Sequence, residues 1–171
     1  MLRLLSLRLI MRVLTDILKL ILCLVITLGV GFAGSLYTAP AIRTWYATLH
    51  KPSFNPPNWV FMPVWTVLYI MMAVAAFLVW RAPATGRWKV VALAAFLVQL
   101  LLNLLWSLLF FGLRQPAYAL VDIVLLWLMI VVTAFLFVKL SRPAALLLVP
   151  YLAWVTFAAV LNSEILRLNS R

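Results

Sequence analysis

Residues Trp45–Tyr69 read WYATLHKPSFNPPNWVFMPVWTVLY, and this stretch divides the chain into what can be helix and what cannot. Pro52, Pro56 and Pro57 each lack an N–H and restrict the residue before them, so no helix runs through all three. The segment from about residue 40 to 57 is therefore expected to be a shaped loop. Asn58 is the expected N-cap, and from Trp59 onward the chain becomes an apolar helix. Trp45, Tyr46, His50, Lys51 and Phe54 in the loop suggest a lid over an aromatic site. The competing reading is an interfacial collar, because Trp and Tyr gather at headgroup level in membrane proteins.

Outward from this stretch, charges recur only at intervals. The uncharged runs are 20–42, 52–80, 90–113 and 143–163, with 115–138 broken only by Asp122. Each meets the ~20 residues that a spanning helix requires. With 68% hydrophobic residues and a mean hydropathy of +1.18 over 171 residues, the chain must use lipid as its solvent. The expected fold is an all-α membrane protein, a bundle of five transmembrane helices at about 16–38, 58–80, 88–111, 116–140 and 143–168. Residues 15–168 form one domain, with a lid loop at 40–57. Residues 1–14 form a basic amphipathic extension of interfacial character.

The net charge of +11 comes from 14 basic residues dispersed among the loops, which argues against a nucleic-acid face. They read instead as topology signals and lipid-phosphate contacts. Nine fall on one side, in the N-terminal arm and the second and fourth loops. Five fall on the other, in the first and third loops and at the C-terminus. The positive-inside rule then places the N-terminus inside, with the Pro-rich loop and C-terminus outside. One cysteine and one histidine supply neither a disulfide nor a metal site.

Reading at helical spacing gives four polar-aromatic stripes. Trp65, Tyr69, Met72 and Ala76 share one helix face; Gln99, Asn103, Trp106 and Phe110 a second; Tyr118, Asp122, Leu125 and Met129 a third; and Tyr151, Trp154, Ala158 and Asn162 a fourth. Amides and a carboxylate facing lipid would be costly, so these faces are expected to turn inward. They would line a site for a large, flat, mainly apolar ligand. The alternative is that the amides bond across helices and the tryptophans are core. Asp122 is expected to be structural, partnering a loop N–H or Arg114, with Asp16 and Glu164 solvated. A metal-free tetrapyrrole fits the composition better than a metalloporphyrin, for which only His50, a Met or a Tyr is available as axial ligand. Its carboxylates would lie near Arg43 and Lys51. In helix one, Gly29 with Ala33, or Gly31 with Ser35, gives small-xxx-small spacing for close approach of a helix or a flat ligand.

The order Trp45-Tyr46, Leu49, Lys51-Pro52-Ser53, Pro56-Pro57, Trp59, then Pro63-Val64-Trp65 and Leu68-Tyr69, resembles the TspO/MBR family of tryptophan-rich sensory and translocator proteins. The likeness continues through Gln99, Asn103, Trp106, Phe110-Phe111-Gly112, Gln115 and Ala119–Asp122 to Pro150–Trp154 and Leu161-Asn162. It spans about residues 20–165. The resemblance implies a homodimeric five-helix bundle with a pocket open toward the first loop, binding porphyrins, sterols and synthetic ligands. The implied ligand positions are Trp65, Asn103, Trp106, Tyr118, Trp154 and Ala158, with Trp45 and Lys51 in the loop; Tyr118 stands where some members have Trp. The resemblance further implies a tetrapyrrole receptor or sensor in a bacterial membrane, possessing no required cofactor and tied to porphyrin efflux or stress responses. Light- and oxygen-dependent degradation of protoporphyrin at Trp65 and Trp154 is the enzymatic alternative, and sterol or lipid transport is another. Ser163 and Glu164 follow Leu161-Asn162 where animal members carry a sterol-associated Tyr, so sterol binding is expected to be weak.

Overall fold

The computed structural model describes residues 2–83 and 86–170, with side chains from Arg8 onward. Helix α1 runs Leu2–Arg43, α2 is the single turn Trp45–Thr48, and α3 is Asn58–Arg81. Helix α4, Arg87–Ser107, passes into a π-helical turn at Leu108–Gly112. Then come α5 (Pro116–Val138), the short α6 (Arg142–Leu146) and α7 (Val149–Asn169). Among the described residues, five segments are long and apolar enough to cross a membrane: Arg8–Arg43, Asn58–Arg81, Arg87–Gly112, Pro116–Val138 and Arg142–Asn169. The five-helix membrane fold expected from the sequence is the fold observed.

Several boundaries differ from expectation for identifiable reasons. Helix α1 has 42 residues and stays helical through Pro40 to Arg43, so the lid is shorter than 40–57. Pro40 lacks an N–H, so the Leu36 carbonyl alone loses its helical donor, and the Thr44 hydroxyl donates to the Pro40 carbonyl at 2.9 Å at the helix end. No break separates the basic arm from the first span, because nothing between Leu2 and Thr15 interrupts a helix. At 1.5 Å per residue, α1 is about 63 Å long, roughly twice a hydrocarbon core. Asn58 is the first helical residue rather than the cap: Pro57 holds the cap position, with no side-chain capping bond. The fourth span ends at Val138. The fifth is not one continuous helix over 143–168: a break at Leu147–Leu148 separates α6 from α7, and Pro150 sits in the first turn of α7.

The third span ends at Gly112, within a residue of the expected 111, but it does so through a widened turn. The amides of Leu113 and Gln115 reach back to the carbonyls of Leu108 and Leu109, at 2.7 and 2.9 Å. This widened turn buries both Phe110 and Phe111, which ordinary helical spacing would send in different directions. Arg114 then takes the left-handed conformation, φ 56°, and ends the helix.

Helix α1 packs against α3 and α4, α4 against α5, and α5 against α7, while α6 packs against α3. The ring of helices is thus sealed between α3 and the fifth span by α6. The sealed end carries Asp16, 3.8 Å from Arg81, and Lys19 over the Trp80 ring at 5.9 Å. Asp16 is therefore paired rather than simply solvated, as is Glu164, 2.8 Å from Arg167 at the opposite end. Both pairs are exposed and contribute little to stability. At the sealed end, Lys89 Nζ also donates to the Ala82 carbonyl at 2.6 Å, and Lys139 lies over Trp88 at 4.9 Å.

Candidate functional site

At the opposite end the helices spread around a cavity of about 570 Å³, within the usual size range for small-molecule sites. Its walls come from the second half of α1, the first half of α3, the end of α4 with its π-helical turn, and α7. Tyr46 of α2 closes part of the loop side. The lining is aromatic on every wall: Trp65 and Phe61 from α3, Trp106 and Phe110 from α4, Trp154 and Phe157 from α7.

The rings support one another. Trp106 stacks on Phe110 at 5.2 Å and meets Phe111 edge-on at 5.8 Å. Trp65 lies 5.6 Å from Tyr69 and 6.2 Å from Tyr151. Trp154 meets Phe61 at 6.1 Å and Phe157 at 5.4 Å. Such edge and offset contacts add about 0.5–1.5 kcal/mol each beyond area burial, so the walls are set before any ligand arrives.

Below the cavity, three helices are joined by one amide. The Tyr69 hydroxyl donates to Asn103 Oδ1 at 2.5 Å, and Asn103 Nδ2 donates to the Tyr151 hydroxyl at 3.1 Å. Asn162 repeats the device: it accepts from the Trp106 indole at 3.1 Å and donates to the Pro116 carbonyl at 2.9 Å. Asn162 also lines the cavity, while Asn103 does not. Gln99 donates only to the Met72 sulfur, at 3.9 Å, and its carbonyl has no partner among the described residues.

Of the residues expected to bind ligand, Trp65, Trp106, Trp154 and Ala158 line this cavity together. The other four do not. Asn103 is sequestered beneath it, holding Tyr69 and Tyr151. Tyr118 is 65% exposed on the outer side of α5, because α5 packs behind α4 and α7 and supplies no wall. The buried face of α5 runs instead through Ala119, Asp122, Ile123, Leu126 and Ile130. Trp45 lies edge-on to Phe110 at 5.7 Å, outside the lining. Lys51 Nζ donates to the carbonyls of Leu49 and Ala47 at 3.1 and 3.4 Å and lies 5.1 Å from the Tyr46 ring, so it braces the loop. Arg43, by contrast, does line the cavity. Asp122 is 4% exposed and meets neither a loop N–H nor Arg114: both oxygens lack a partner among the described residues.

Sequence reading missed Phe61 and Phe157 as wall residues, whereas Tyr46 was expected in the lid and Gly31 at a point of close approach. Gly31 is there because Tyr69 is. A Cβ on Gly31 would stand 2.5 and 2.6 Å from carbons of the Tyr69 ring, so only glycine lets α1 and α3 come this close. Gly29 has open space at the corresponding point, so the paired small residues are not equivalent.

The loop is fastened rather than free. Tyr46 donates its hydroxyl to Asn55 Oδ1 at 2.6 Å, and burial pushes its phenol up to about 12, so it remains a donor at neutral pH. The amide of His50 donates to Asn169 Oδ1 at 3.0 Å, and Asn169 Nδ2 donates to the His50 carbonyl at 2.9 Å. This two-bond tie links the loop to the end of α7. Asn169→Ala is expected to raise hydrogen exchange at the His50 amide about fivefold, as the loss of about 1 kcal/mol implies. Unchanged exchange would mean the tie does not hold the loop.

A multi-pass helical membrane protein with a preformed aromatic cavity at one end is the class that this fold and site define. The sequence profile of the TspO/MBR family matches residues 22–168, and the chain belongs to that family. It is 53% identical over 158 residues to the Tryptophan-rich protein TspO of Chlorobaculum tepidum, covering 90% of this chain and 98% of the relative. It is 44% identical over 156 residues to the protein of the same name from Archaeoglobus fulgidus, covering 91% and 99%. To the Translocator protein of Homo sapiens it is 42% identical over 139 residues, covering 81% and 82%.

Proposed function

We propose that this protein is a membrane receptor or sensor that binds a tetrapyrrole of the protoporphyrin type in the aromatic cavity. The observation that carries the reading is the convergence of Trp65, Trp106 and Trp154 on one apolar space with Arg43 at its loop end. Flat conjugated rings gain stacking energy from such walls, and a guanidinium offers the bidentate partner that a propionate prefers. Membership of a family that includes proteins named tryptophan-rich sensory protein and translocator protein supports a sensor or receptor role. Within the same reading the protein acts as a homodimer, sterols bind weakly, and the loop end faces outside a bacterial membrane, as the excess of Lys and Arg at the sealed end suggests.

The test is a titration of the detergent-solubilised protein with protoporphyrin IX in darkness, followed through intrinsic Trp fluorescence. Saturable quenching approaching one porphyrin per chain is expected; linear, unsaturable quenching would overturn the reading. A second reading is favoured by one observation, that Trp65 and Trp154 both face the cavity. Under light and oxygen those rings would be the oxidisable groups nearest the bound porphyrin. Illumination of the saturated complex separates the two: a stable porphyrin spectrum supports binding alone, and loss of the spectrum only when both tryptophans are present supports degradation.

A further inference from the structure

The two walls of the cavity formed by α3 and α7 are also the walls of a second hollow, on the outside of the bundle. It is lined by Pro63, Val67 and Met71 from α3 and by Pro150, Ala153 and Trp154 from α7, among other apolar residues. No charged or hydroxyl-bearing side chain borders it. Trp154 and Phe157 belong to both spaces, so one layer of aromatic rings separates the cavity from the hollow.

That layer is weakly held. Helix α7 is hydrogen-bonded to α4 through Asn103–Tyr151 and Trp106–Asn162, and to α5 through Trp127–Thr156 at 2.8 Å and Asn162–Pro116. Helix α3 is bonded to α4 through Tyr69. Among the described residues no side-chain hydrogen bond joins α3 to α7, and their junction is the ring contacts Phe61–Trp154 and Trp65–Tyr151. Toward the sealed end α6 fills the seam between α3 and the fifth span; toward the loop no helix takes its place among the described residues, and the cover there is the edge contact of Phe54 on Phe157 at 6.3 Å. Pro63 relaxes the α3 wall as well, since it leaves the Trp59 carbonyl without its helical donor.

We infer that the α3–α7 seam is a lateral portal through which an apolar ligand dissolved in the bilayer reaches the cavity, with Trp154 as its gate. The inference rests on the proposed binding of a flat apolar ligand, which partitions into lipid before it meets protein. Its occupant is that ligand in transit. Turning the Trp154 ring toward the hollow breaks no hydrogen bond, unlike Trp106 and Trp127, whose indoles donate to Asn162 and Thr156.

The experiment fills the hollow without touching the cavity. Ala153→Phe and, from the other wall, Val67→Phe are placed in phosphatidylcholine nanodiscs beside Val124→Phe, a lipid-facing control on α5. Protoporphyrin IX is mixed in a stopped-flow instrument and its own emission is followed. Association and dissociation rates are expected to fall at least tenfold in both seam variants, with Kd unchanged and the control at wild-type rates. Saturable binding at wild-type rates in both folded seam variants would overturn the portal while leaving the tetrapyrrole site standing. Absence of saturable binding in the unmodified protein would overturn the site itself, and the portal with it.

Discussion

Gly31→Ala loses about 1–3 kcal/mol of stability and most ligand binding, whereas Gly29→Ala, two residues away in the same helix, does neither. Both changes replace glycine in a helix interior, which by intrinsic propensity favours the helical state by up to about 1 kcal/mol. At Gly29 nothing lies within 4 Å of the new methyl, so that term stands alone and the variant is neutral or slightly stabilised. At Gly31 the methyl meets the Tyr69 ring at 2.5 Å, and that ring is already packed against Trp65, 5.6 Å between centroids, and bonded to Asn103. Overpacking of this kind costs about 1–3 kcal/mol. Moving Tyr69 also strains its bond to Asn103, adding about 1 kcal/mol. The clash therefore wins over the propensity. Thermal unfolding in one detergent, compared across the two variants, measures the difference; equal melting temperatures would show that α1 and α3 are not as close as described.

Ala158→Trp abolishes ligand binding, at least a hundredfold in Kd, with little change in stability. Ala158 lines the cavity from α7 between the rings of Trp154 and the loop end. An indole there enters space that is already open, so the usual penalty for enlarging a packed residue is small. The same indole removes the volume a flat ligand needs. Retained melting temperature with lost binding is the expected pair of results. Retained binding would place the ligand elsewhere on the protein.

The fold was legible because the membrane imposes it: charges spaced every twenty-odd residues leave five runs that lipid can hold only as helices. The loop was misjudged at Pro40, because a proline near a helix end removes one backbone bond and does not by itself stop the helix from running to Arg43. Of the eight positions expected to hold ligand, helical spacing placed four on the cavity. Trp65, Trp106, Trp154 and Ala158 face inward on helices whose inner faces all open on the cavity. Tyr118 obeys the same spacing on α5, but periodicity identifies a face without saying which neighbour covers it. Asn103 was recognised as an inward amide, but spacing does not tell a wall residue from the strut beneath it. Phe61 and Phe157 escaped because their role depends on which helix stands opposite, and a single sequence does not carry that; for the same reason Gly31 could be named as a close-approach position without its partner Tyr69.

The most direct test of the central claim is the circular dichroism that the protein induces in the Soret band of protoporphyrin IX. An achiral porphyrin shows no such band free or in micelles, and shows one when held in a single orientation among asymmetric aromatic walls. The account predicts an induced band in darkness that saturates at one porphyrin per chain, weakens in Trp65→Ala and Trp154→Ala, and is absent in Ala158→Trp. A band of equal strength in all four proteins would contradict it.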